Sequence, residues 1–248
     1  MAKKKLKFDT SSEPIGVVRD LGNRKKLTPH DVCSIRPQSN NQQKFIDAYL
    51  SDAPLISVTG PAGCGKTFLA MGMALLDVLD DSTAYDKVVM IRSAVETRKQ
   101  GFLPGDQSDK DAPYETPYVQ VCHALFPRLN DGYAHLKTLG HLSFHTTGHF
   151  RGQNLDRSII LIDESENLDW GELYTLISRT GRDTRIILMG DHKQNDLYRY
   201  RETSGLPRLQ NVMRNMPQKM IATVEFGFDD IVRSELTKSF IIADYNTD

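Results

Sequence analysis

The chain has 248 residues, 39% hydrophobic and 25% charged, the makeup of an ordinary globular protein able to bury one sizeable core. A net charge of −1 and a pI near 6.7 exclude a protein that coats nucleic acid by bulk charge, while leaving room for a local basic groove. Three scattered cysteines, Cys33, Cys64 and Cys122, make neither a disulfide framework nor a Cys-rich zinc site, and with no membrane-length apolar run and no signal core they point to a soluble, cytoplasmic protein.

Residues 1–36 are rich in Lys, Arg, Ser and Pro without apolar periodicity, so they read as a flexible basic arm, and a single domain is expected over 37–248. In NNQQKFIDAYL (40–50), capping residues precede Phe45, Ile46, Tyr49 and Leu50 at helical spacing, and Gln43 is a candidate reader of an adenine edge. The stretch LISVTGPAGCGKT (55–67) then organises the chain: an apolar β-branched run breaks into a glycine-rich turn ending in Lys-Thr. Its spacing fits G-x-x-x-x-G-K-[ST], a strand, a phosphate-binding loop and a helix. Gly60, Gly63 and Gly65 let successive amides turn inward around phosphate oxygens, with Pro61, Ala62 and Cys64 completing the loop. Lys66 is placed to reach the β- and γ-phosphates, and the Thr67 hydroxyl to ligate Mg²⁺.

A buried helix is expected over Phe68–Leu79 and a strand over Lys87–Ile91. Residues 92–118 are dense in Gly, Pro, Asp and Lys and predict a long functional loop, followed by a helix from Pro117 to Leu129. His141, His145 and His149 are four apart, which on a helix would line one face, but the β-branched composition predicts an ordinary strand. Arg157–Glu164, RSIILIDE, is a continuous apolar run ending in two acids, as in a central parallel strand buried on both faces. Asp163 is then a candidate for holding Mg²⁺ and Glu164 for polarising the attacking water. A helix over Trp170–Arg179, a strand over Arg185–Met189, a helix over Leu206–Met216, a strand over Met220–Phe226 and a helix over Asp230–Tyr245 complete the series. The β-α alternation predicts an α/β fold with a mainly parallel sheet and helices on both faces. Gln194, just past a strand end, is a candidate contact to the γ-phosphate or lytic water. Arg92 and Arg233 lie at element edges where either could stabilise charge on a transferring phosphate.

These residues resemble the PhoH-like ATPases, relatives of the first domain of superfamily 1 helicases, from about Gln43 to Tyr245. The matching blocks are GPAGCGKT (60–67), RSAVE (92–96), GFLPGD (101–106), PYETPY (113–118), RG (151–152), DESEN (163–167), GDHKQNDL (190–197), SGL (204–206) and DIVR (230–233). The resemblance implies a RecA-like core in which the GDHKQ strand lies between the phosphate-loop strand and the DE strand. It also implies ATP and Mg²⁺ use, with the roles given above for Lys66, Thr67, Asp163, Glu164, Gln194 and Arg233. The chain departs from the family pattern at Cys64 (usually Thr), Ser93 (usually Pro) and Ser165-Glu166 (usually Ala-Gln). Cys64 also sits at a helix N-terminus, where the dipole lowers a thiol's pKa, although the plainer reading is a small filler.

Three functions fit. The first is an ATPase whose cycle acts on single-stranded RNA, supported by helicase kinship, the basic arm and Arg98-Lys99. The second is a nucleotide-dependent scaffold with slow or no hydrolysis, and the third a viral packaging motor, which needs a nuclease domain for which this chain has no room. One phosphate loop with no second core further predicts a homo-oligomer, a hexameric ring by family analogy, in which Arg233 is supplied to a neighbour's nucleotide.

Overall fold

The computed structural model describes residues 26–93, 107–147, 155–191, 193 and 203–247, with backbone only for 107–111. Six strands, β1 Leu55–Thr59, β2 Lys87–Arg92, β3 Leu142–Thr146, β4 Ser158–Asp163, β5 Arg185–Gly190 and β6 Ile221–Glu225, form one sheet in the order 3-2-4-5-1-6. Every pairing is parallel. The GDHKQ strand, β5, lies between the phosphate-loop strand and the DE strand, which is the RecA-like arrangement. Seven α-helices lie among the described residues: α1 Asn40–Leu50, α2 Lys66–Val78, α3 Gln107–Leu125, α4 Gly132–Thr138, α5 Trp170–Ser178, α6 Leu206–Arg214 and α7 Glu235–Tyr245.

The central strands β1, β4 and β5 are buried at nearly every position, and their aliphatic residues feed two cores. In β4, Ile159 and Leu161 join one cluster while Ile160 and Ile162 join the other, the two-residue alternation of a strand. β2 divides in the same way, Val88 and Met90 against Val89 and Ile91. Helices α1 to α4 cover the first face; α5 and α6 cover the second through Leu173, Leu176, Leu206, Leu209 and Met213. Burying each such aliphatic side chain contributes about 1.5–3 kcal/mol, so the sheet is fixed from both sides. β3 is an edge strand whose Leu142, Phe144 and Thr146 face inward while Ser143 and His145 do not; the expected strand, rather than a histidine-lined helix, is what forms. His149 lies outside the described residues.

The structure differs from the sequence expectation in four places. Residues 107–118 are the first turns of α3 and not loop, with Pro113 and Pro117 inside the helix. The helix tolerates them because Tyr114, Tyr118, Cys122 and Leu125 are buried in the core, and tertiary packing outweighs the lost N–H donors. α4 has no counterpart in the sequence reading, although Asp131 caps it, accepting from the Ala134 amide at 2.9 Å, and Tyr133 and Leu136 anchor it. Residues 27–35, expected within the basic arm, pack on the domain through Leu27, Val32 and Ile35. Residues 1–25 lie outside the described residues. Finally, α7 begins at Glu235, capped by Ser234, and a 3-10 turn over Phe228–Asp230 precedes it. No helix among the described residues is long and apolar enough to cross a membrane.

Candidate nucleotide site

In a parallel sheet every strand ends on the same edge, so β1, β4 and β5 deliver the phosphate loop, Asp163-Glu164 and Gly190-Asp191 side by side. Gly60, Gly63 and Gly65 all have positive φ, at 146°, 81° and 79°. Space requires two of these glycines as well. A Cβ on Gly60 would lie 2.6 Å from Phe226, and one on Gly63 would lie 2.9 Å from the Arg233 Cγ. The loop is held from below by the Gly60 amide donating to Gly190 O at 3.1 Å, and from the side by the Val232 amide donating to Gly63 O at 3.0 Å. The loop runs straight into the start of α2 at Lys66, where the helix dipole favours an anion. Pro61 and Cys64 are buried, while Ala62 and Lys66 are partly open. Lys66 Nζ arches over the loop and donates to the carbonyls of Gly60 at 2.7 Å and Pro61 at 2.8 Å.

Thr67 Oγ1 donates to Asp163 Oδ2 at 3.2 Å, which joins the loop to the acidic strand end. The two oxygens are hard donors on one side of the cradle, and they fit Mg²⁺, an ion that takes few protein oxygens and keeps its waters. Tyr118 OH donates to the same Asp163 oxygen at 3.2 Å; burial and the neighbouring Asp163 push its phenol well above the usual range. Glu164 adopts a left-handed backbone, φ 50° and ψ 44°, the sparsely populated geometry often found at functional positions. Both its carboxylate oxygens accept from Arg92: Oε2 from Nε at 3.0 Å, and Oε1 from the terminal guanidinium nitrogen. Arg92 stands beside Asp163 in the β2–β4 register and lies 5.8 Å over the Tyr114 ring. Its observed partner is therefore Glu164.

Glu166 is buried and its Oε2 accepts from the Asp191 amide at 3.0 Å. Burial pushes its carboxyl up to about 8, with Glu164 and Asp163 adding to the effect against the two backbone bonds. Gly190 has to be glycine here, since a Cβ would lie 2.6 Å from Ser165 Oγ and 2.8 Å from Glu166 Oε2. Asp191 accepts from Tyr245 OH, at the far end of α7, and from the Lys193 amide at 3.1 Å. Gln194, expected to meet the γ-phosphate or the lytic water, lies outside the described residues, as do 94–106 with Arg98-Lys99 and GFLPGD, and Arg151-Gly152.

One sequence expectation changes. Gln43 does not face the loop: it is exposed, and its amide donates to Asp47 at 2.9 Å. The inward glutamine is Gln42, whose Nε2 donates to Cys64 O at 3.1 Å and whose Oε1 accepts from the Gln38 amide at 2.7 Å. One residue turns a helix by about 100°, and Gln42 shares the 42, 45, 46, 49 stripe with the buried Phe45, Ile46 and Tyr49, a signal already present in the sequence. Cys64 fits the plainer filler reading: it is buried, and burial pushes its thiol up to about 11, with Asp230 and Asp191 adding to this and Lys66 opposing it. Arg233 lies before α7, and its exposed side chain rests on Gly63 of its own loop. The segment is held there by the Val232 amide and by Asp230, which accepts from Asn41 and from the Gly227 amide. Tyr118, Tyr245 and Gln42 are the site residues that sequence reasoning passes over.

A parallel sheet with a phosphate loop at one strand end and two acids at another defines a P-loop nucleotide-binding domain of the RecA-like type. Residues 34–245 match the family described as PhoH-like protein, and the chain belongs to it. Over 193 residues it is 33% identical to Protein PhoH2 of Bacillus subtilis (strain 168), covering 75% of this chain and 43% of that protein. It is 29% identical over 228 residues to Protein PhoH of Escherichia coli (strain K12), covering 90% and 60% respectively. It is 28% identical over 212 residues to a PhoH-like protein of Synechocystis, covering 84% and 62%. The chain thus spans about half the length of the curated relatives it matches.

Proposed function

We propose that the domain binds ATP with Mg²⁺ at the phosphate loop, hydrolyses it, and couples the cycle to single-stranded RNA. The observation that carries the reading is the convergence of loop and acids, with Thr67 Oγ1 3.2 Å from Asp163 Oδ2 and Glu164 next in the chain. The loop amides and Lys66 bind and orient the phosphates, and Gln42 keeps the loop in shape. Thr67 and Asp163 would hold Mg²⁺, which when bound neutralises phosphate charge. Glu164 takes a proton from the attacking water once its carboxylate is released from Arg92. Arg233, resting on Gly63, serves the nucleotide of its own subunit in this reading.

The test is ATP turnover with and without RNA. Lys66→Ala should weaken ATP binding, whereas Glu164→Gln should keep binding and lose about 10²-fold or more in turnover, the usual scale for a positioned acid or base. A fully active Glu164→Gln protein would remove the assignment. The Arg92 fork on both oxygens of Glu164 favours a second reading, a nucleotide-dependent scaffold with slow hydrolysis. Slow turnover that RNA does not raise, in a protein that binds ATP well, selects it.

A further inference from the structure

Asp163 is held by more than the phosphate loop. Its Oδ1 accepts from the Glu164 amide at 3.1 Å, and its Oδ2 accepts from Thr67 Oγ1 and from Tyr118 OH, each at 3.2 Å. These three donors come from the strand's own continuation, from the start of α2 and from α3. The terminal torsion of an aspartate is soft, and donors on both oxygens fix it. Thr67 is itself a candidate metal ligand and the Glu164 amide follows the backbone, so Tyr118 is the donor whose place depends on neither the loop nor the acidic strand.

The phenol is built into position. Its side chain is 1% exposed and its ring packs against Phe144 of β3, with centroids 5.6 Å apart at 38°. Tyr114, one turn earlier on the same face of α3, lies 5.8 Å from the Arg92 guanidinium. Arg92 and Asp163 are partners in the β2–β4 register, so the two tyrosines meet two adjacent strand ends. Pro113 and Pro117 beside them cost α3 two N–H donors, which leaves this face to be held by its contacts. Filling the core alone would not call for a phenol, since phenylalanine offers the same ring with no O–H to satisfy. Here that O–H is spent on the acid that the site presents to a metal.

We propose that Tyr118 is a positioning residue for the metal: its hydroxyl holds the Asp163 carboxylate turned toward Thr67, so that Thr67 Oγ1 and Asp163 Oδ2 stand together as a pair set for Mg²⁺. This rests on the reading of Mg²⁺ and ATP at the phosphate loop, and adds to it a residue from outside the loop and the acidic strand. Losing the partner that orients a metal-holding side chain costs about 10–100-fold in metal affinity. Asp163 would keep two of its three donors, so the lower end of that range applies.

The test compares Tyr118→Phe with the wild type by equilibrium binding of a fluorescent, non-hydrolysable ATP analogue, first in EDTA and then across a Mg²⁺ titration. Binding in EDTA reports the loop amides and Lys66, and the tightening with Mg²⁺ reports the metal. The variant keeps the ring, its volume and its contact with Phe144, so its urea midpoint and its affinity in EDTA should match the wild type. It should need about ten-fold more Mg²⁺ to reach the same tightening. Placed on an Asp163→Asn background, the substitution should add no further loss, because Tyr118 acts through that carboxylate. If the variant responds to Mg²⁺ as the wild type does, weakens binding equally with and without Mg²⁺, or adds its loss to that of Asp163→Asn, the proposal fails while the metal reading stands. If the wild type binds the analogue no more tightly in Mg²⁺ than in EDTA, the metal reading fails and the proposal with it.

Discussion

Replacing Glu166 by Gln should make the protein's stability less dependent on pH. In the unfolded chain this carboxyl titrates near 4.5, and in the fold burial holds it near 8. Between those values the folded state keeps a proton that the unfolded state has released, so unfolding liberates one proton and stability falls as pH rises. Glu166 therefore contributes its full stability below about 4.5 and has lost it above about 8. The separation of about 3.5 units corresponds to an upper bound of about 5 kcal/mol at about 1.4 kcal/mol per unit. Glutamine keeps the acceptor that meets the Asp191 amide and carries no titrating proton. Urea unfolding of both proteins, in Mg²⁺-free buffer, should show the variant gaining on the wild type by about 2–3 kcal/mol between pH ~5.5 and ~7.5. Carboxylates remote from Glu166 cancel in that difference. Parallel pH profiles would refute the reasoning, because Glu166 would then ionise within the fold as freely as outside it.

Gly205→Ala should cost about 1–3 kcal/mol in urea unfolding, since its Cβ would press on the Trp170 backbone; an unchanged midpoint would show that the two helix starts are not in close contact. Alkylation should label the half-buried Cys33 well before Cys64, whose thiol is buried and pushed up to about 11; faster labelling of Cys64 would contradict that burial. Arg92→Lys, which cannot make the two-pronged contact with Glu164, should raise basal ATP turnover several-fold with KM unchanged, whereas a ten-fold fall would mean that Arg92 positions Glu164 for the reaction.

What the sequence determined by itself was local chemistry repeated along a strand, a loop or a helix. Ile159 to Ile162 are four consecutive aliphatic residues because β4 is covered on both faces, and that composition survives in any reading. GPAGCGKT fixes a phosphate loop because positive φ at Gly60, Gly63 and Gly65 is demanded by the turn itself. The stripe of Gln42, Phe45, Ile46 and Tyr49 was equally legible, and reading its phase strictly would have chosen Gln42 over Gln43. Tertiary structure alone decided which groups meet across long separations. Asp163 receives Thr67 and Tyr118, 96 and 45 residues away in sequence, and Glu164 receives Arg92 from 72 residues away. These pairings depend on strand order and register, which set β2 beside β4 and place β1 one strand beyond it across β5, and which no local periodicity encodes. Cys64 shows the same division: its helix-terminus position favours a lowered pKa, but the Gly227 to Arg233 segment and Gln42 close over the loop, and burial reverses the sign.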